Sequence, residues 1–70
     1  MNIYKLFICY THSVNGKMGR IMEFPAKSDA YASGVGSGEF TKDENSHFAV
    51  LVRKDKKEET IITTYEHQIF

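Results

Sequence analysis

The chain has 70 residues, nine basic and nine acidic, with a formal charge of zero, 41% hydrophobic content, one cysteine and one proline. A chain of this length holds a single core and falls below the size at which most enzyme folds assemble, so one domain over residues 1–70 is expected. The charge balance argues against a global positive field, the usual mark of a nucleic-acid or anionic-membrane binder, and a lone Cys9 excludes both an internal disulfide and a multi-thiolate zinc site.

The apolar run Leu6–Tyr10 near the amino terminus is shorter than a signal-peptide core and far shorter than a membrane span. Neither Asn15-Gly-Lys nor Asn45-Ser-His forms a glycosylation sequon. With the single cysteine, these features predict a cytoplasmic chain without membrane contact.

Ile3 to Val14 reads as a first strand, but its two faces do not separate into apolar and polar: Ile3, Phe7 and Cys9 lie on one, Tyr4, Leu6, Ile8 and Tyr10 on the other. A strand of that kind is normally covered on both sides, in the middle of a sheet or between a helix layer and something else. Asn15-Gly16 follows, and both residues tolerate the positive φ of a type I′ turn, which predicts a two-residue hairpin loop. Counting outward from Val14 opposite Lys17 sets Phe7 against Phe24, Cys9 against Met22, Thr11 against Arg20 and Tyr10 against Ile21. Cys9 then reads as a small buried hydrophobe.

Pro25 is expected to end the second strand. Ser28 then caps a short helix holding Asp29, Ala30, Tyr31 and Ala32, which Gly34 stops. Gly34-Val35-Gly36-Ser37-Gly38 reads as a loop, and Thr41 to Ser46 as a polar connector. A second hairpin joins His47–Arg53 to Thr60–Tyr65, both rich in β-branched and aromatic residues. A three-residue loop, Asp55 to Lys57, is preferred because it sets Lys54 against Glu58 and Arg53 against Glu59; Val50 then meets Ile62, Phe48 meets Thr64, and His47 meets Tyr65. The expected fold is therefore α+β, a small antiparallel four-stranded sheet of order ββαββ in sequence with one short helix.

No constellation names a reaction. The glycine-rich stretch lacks the Gly-Lys-Ser/Thr of a phosphate loop and is followed by Glu39 rather than by a cation. His12, His47 and His67 share no metal-ligand spacing, Cys9 and His12 point to opposite faces of a strand, and Glu58-Glu59 does the same. No catalytic residue, metal or cofactor is expected, and the chain is not read as an enzyme. Tyr4, Phe7, Tyr10, Lys5 and Arg20 on one hairpin do resemble the aromatic and basic mixture of base-stacking sheets, so a nucleotide or nucleic-acid module using this hairpin and the glycine stretch stands as the alternative.

The leading expectation comes from cover. One short helix can shield only one face of a four-stranded sheet, and so large an apolar face is rarely left bare. The exposed face should meet a partner protein or a second copy of the chain, as a homodimer, with Tyr4, Phe7, Tyr10, Arg20, Met22 and Phe24 as the candidate contact residues; the alternative is a sheet that curls and buries both faces against its own second hairpin. A small cytoplasmic regulator or inhibitor, of the kind viruses and mobile elements encode, is the expected class by association with size alone.

Overall fold

The computed structural model describes residues 1–67. The elements run β1 (Asn2–Val14), β2 (Lys17–Ala26), α1 (Asp29–Lys42), β3 (Ser46–Lys54) and β4 (Glu59–Glu66). All strand pairs are antiparallel, in the order β2-β1-β3-β4. The ββαββ expectation holds; the two-faced strand β1 is an inner strand, with the helix over the Tyr4, Leu6 and Ile8 face only.

The Asn15-Gly16 turn forms with φ of 52° and 80°, and Val14 pairs with Lys17. Beyond the turn the expected register fails. Tyr10 to Ser13 of β1 stand against Met18 alone, after which Cys9 pairs with Gly19, Phe7 with Ile21, Leu6 with Met22 and Tyr4 with Phe24. Because side chains alternate with period two, a slip of three residues moves all of β2 to the opposite face. Phe24 therefore stacks on Tyr4, with ring centroids 5.9 Å apart, rather than meeting Phe7, and Met22 packs toward the core rather than against Cys9. Gly19 sits where the irregularity begins, and a Cβ there would run into the Ile8 carbonyl oxygen. Pro25 does not end β2; it pairs with Ile3 in an edge strand, the position in a sheet that tolerates a residue with no N–H.

In the second hairpin the loop has four residues, Asp55 to Glu58, closed by a 2.8 Å bond from the Asp55 N–H to the Glu58 carbonyl. Lys54 thus faces Glu59 and Arg53 faces Thr60, in place of the expected Lys54–Glu58 and Arg53–Glu59 pairs, and the Lys54 ammonium reaches Glu23 instead. A bulge at Ile62 then sets Leu51 against Thr63, Val50 against Thr64 and Ala49 against Tyr65, in place of the expected Val50–Ile62, Phe48–Thr64 and His47–Tyr65 pairs.

The helix is longer than its sequence suggests. Ser28 caps it as expected, its Oγ accepting the Tyr31 N–H at 3.1 Å, but Gly34 does not stop it and the glycine stretch is helical throughout, to Lys42. Ala32, Gly36 and Phe40, spaced four apart, are its buried residues. Gly36 has a packing reason: a Cβ there would lie 2.6 Å from the Tyr65 hydroxyl. Gly34 and Gly38 meet nothing within 4 Å. The core lies between this helix and one sheet face, with Tyr4, Leu6, Ile8, Ala49 and Leu51 buried from the sheet side.

Candidate functional site

The helix is fastened to the sheet at both ends. At its first turn Asp29 accepts the Tyr4 hydroxyl at 2.6 Å and two bonds from Arg53 at 2.8 and 3.0 Å, tying α1 to β1 and β3. The Tyr4 and Arg53 bonds hold the Asp29 carboxyl below its ordinary range, and the same carboxylate raises Tyr4 and Arg53 above theirs. At the last turns Arg20 of β2 donates to Asp43 at 2.9 Å and to Glu39 at 3.4 Å. Arg20 is raised by Asp43 above all; Asp43 is lowered chiefly by Arg20, and Glu39 first by Lys42, which bonds it at 3.1 Å.

Ser46, buried at the start of β3, completes the helix terminus. Its Oγ lies 3.0 Å from the Phe40 carbonyl, 2.7 Å from the Asp43 carbonyl and 2.8 Å from His67 Nε2. Both carbonyls also accept a backbone N–H, Phe40 from Asp43 at 3.3 Å and Asp43 from Ser46 at 3.1 Å, so the single Ser46 hydroxyl proton supplements a helix terminus that the backbone already closes. The His67 ring stacks on Phe40 with centroids 4.3 Å apart. His47 sets its ring edge on Phe48 at 5.8 Å, not on Tyr65.

These fastenings account for most of the contact residues expected from sequence. Tyr4 is 0% exposed, Met22 and Phe24 pack against the core, and Tyr10 joins them past the slip in β1. Arg20 is held by two carboxylates. Only Phe7 of the six lies on the face away from the helix. The glycine stretch, whose amides would have to be free to cradle a phosphate, lies inside the helix.

The face away from the helix is the distinctive surface. By register it carries Ile3, Lys5, Phe7 and Cys9 from β1, Ile21 and Glu23 from β2, Phe48, Val50, Val52 and Lys54 from β3, and Glu59, Ile61, Thr64 and Glu66 from β4. Ile21 is 64% exposed, Ile61 66%, Phe48 40% and Ile3 38%. Cys9, expected as a buried neighbour of Met22, is half-buried here between Gly19 and Phe48.

One end of this face is charged and compensated. Lys5 reaches Glu59 at 3.4 Å and Lys54 reaches Glu23 at 3.5 Å, each crossing a neighbouring strand to do so. The Lys5 stem starts opposite Val52, and Val52 is buried although no helix covers it, as expected when a lysine lays its methylenes on apolar surface and keeps its ammonium in water. The other end is apolar, where Phe7, Cys9 and Ile21, with Lys17 and Met18 at the turn, line a shallow concavity of about 570 Å³. Ile21, Phe48 and Ile61 were not foreseen as contact residues; a register with Gly19 at the slip would have found Ile21.

Among the described residues no group of three His, Cys, Asp or Glu side chains could hold a metal ion, and no helix is long and apolar enough to cross a membrane. Comparison with known proteins yields no match to a family model, a curated protein or a solved structure.

Proposed function

We propose that this chain is a small non-enzymatic regulatory protein that binds a partner protein through its open sheet face and masks the surface it covers. The observation that carries this reading is the open apolar face itself. Four strands are shielded by one helix on one side only, and Ile21, Phe48 and Ile61 stand in solvent on the other. Taking roughly 200 Å² for a whole large side chain, the exposed fractions of Ile3, Ile21, Phe48 and Ile61 amount to on the order of 400 Å². Spread over both ends of the face, that area is on the order of the largest apolar patch of a typical monomer, which is often functional. The paired lysines and glutamates at one end, beside the apolar other end, give the face the mixture of polar and apolar surface that protein interfaces carry.

The nucleic-acid alternative has less support, because Arg20 and Lys5, the cations it would use, are each engaged by carboxylates. A nuclease-treated pull-down from the native host tests the choice. A protein captured by the wild-type chain and lost with Ile21→Lys or Phe48→Lys supports masking. Binding that disappears with nuclease and ignores those substitutions contradicts it. Each lysine is placed beside an acidic neighbour, Glu23 in one case and Glu66 in the other, so the sheet should tolerate it.

A further inference from the structure

We propose that a second copy of this chain covers the open sheet face when no other partner is bound, giving a weak two-fold dimer of four layers, helix, sheet, sheet and helix. The inference rests on the reading of this face as a contact surface and names its resting occupant. Three observations favour a second copy.

The first is the layer count. The Cα trace is only 15 Å through its thinnest direction, the depth of one helix on one sheet. Small domains gain stability by packing both faces of a sheet, and two copies back to back supply the missing layer to each other. The second is charge. Of the charged groups that the described residues place on the face, Lys5, Lys54, Glu23 and Glu59 pair with one another, leaving Glu66 at the β4 rim. A nearly neutral, internally compensated face offers little to steer a strongly charged partner, and it does not repel its own copy, as an isologous interface requires.

The third is area. Strands spaced at about 4.8 Å, with seven residues of each at about 3.4 Å, make a face of roughly 450 Å². Two such faces bury roughly 900 Å² in total, just under the size of a stable specific interface. The complex should therefore be reversible, with a dissociation constant in the micromolar range or weaker.

Sedimentation equilibrium over a wide dilution series, with the full chain, tests this. The weight-average mass should start near 8.0 kDa and climb toward twice that value with concentration. Ile21→Lys and Phe48→Lys should each hold the mass at the monomer value, whereas Tyr31→Glu, on the exposed side of the helix and close to Lys27, should leave the climb unchanged. In parallel, NMR shifts that change on dilution should gather at Phe7, Ile21, Phe48 and Val50. A constant monomer mass up to millimolar concentration overturns the dimer. So does a dimer that survives both sheet substitutions, or one that Tyr31→Glu abolishes. If the chain stays monomeric while an apolar dye still binds it and is lost with Ile21→Lys, the dimer alone fails; if the dye ignores the sheet substitutions as well, the contact reading fails with it.

Discussion

The three helical glycines should respond to alanine in opposite directions, because only one of them touches the sheet. A glycine in a helix interior costs about 0.8–1.0 kcal/mol relative to alanine. At Gly34 and Gly38 an added methyl meets nothing within 4 Å, so each substitution should stabilise the fold by most of that amount. For a domain of this size, about 1 kcal/mol corresponds to roughly 4–8 °C in Tm. At Gly36 the same gain is opposed. The new Cβ would lie 2.6 Å from the Tyr65 oxygen and 3.1 Å from the ring carbon bearing it. The ring cannot retreat freely, since its hydroxyl donates to the Ser33 carbonyl at 2.8 Å and its plane stacks on Phe40 at 5.8 Å. Overpacking of this sort costs about 1–3 kcal/mol, so Gly36→Ala should fall below Gly34→Ala by about that much. Thermal and urea unfolding followed by far-UV circular dichroism measures all three. Tyr65→Phe should relieve part of the Gly36→Ala penalty, a positive coupling in the double-mutant cycle. Three equal increases in stability would refute the close approach of helix and strand at this point.

Gly19→Ala should be among the most damaging single substitutions, since its Cβ would meet the Ile8 carbonyl oxygen at the register slip; a chain that unfolds at the wild-type midpoint would contradict that register. Ser46→Ala should cost about 0.5–1.5 kcal/mol in urea unfolding, because it removes the hydroxyl's hydrogen bond at the helix end while the Phe40 and Asp43 carbonyls keep their backbone donors. The carboxyls of Asp29, Asp43 and Glu39 are all depressed from ordinary values of 3.8, 3.8 and 4.5. The unfolded chain therefore binds more protons across the acid range, so the stability these groups contribute is complete above about pH 5 and is lost as the pH falls through their folded values. The urea midpoint should be flat near neutrality and drop on acidification, and Asp29→Asn should flatten part of that drop. An acid-insensitive midpoint would argue against both helix clamps.

How much of this was legible depended on whether a signal was local. Asn15-Gly16 fixed the first turn, Ser28 fixed the start of the helix, and the two apolar faces of β1 left its place open between the middle of a sheet and a layer beneath the helix. Register needed knowledge of where the ladder breaks. Counting regularly from the turn put Met22 and Phe24 beside Phe7, and only the slip at Tyr10–Ser13 turns them to the core. Gly19 was the available clue, as glycine within a strand often marks a bulge. Helix length was hidden for a different reason: five glycines and serines between Ser33 and Gly38 have poor propensity, and it is tertiary packing at Ala32, Gly36 and Phe40 that holds them helical. The bare face was legible from mass alone, one helix being too little to cover two sides. Its composition was not, because five of the six expected contact residues, Tyr4, Tyr10, Arg20, Met22 and Phe24, serve the covered side.

The most direct test of the open face is an apolar-dye fluorescence titration at chain concentrations well below dimerisation, comparing wild type with Ile21→Lys, Phe48→Lys and Tyr31→Glu. Binding by the wild type and by Tyr31→Glu, with loss in both sheet variants while their circular dichroism stays native, is the expected result. A native wild-type chain that does not bind the dye, or binding that survives both lysine substitutions, would contradict the claim that this protein acts through the face its helix leaves uncovered.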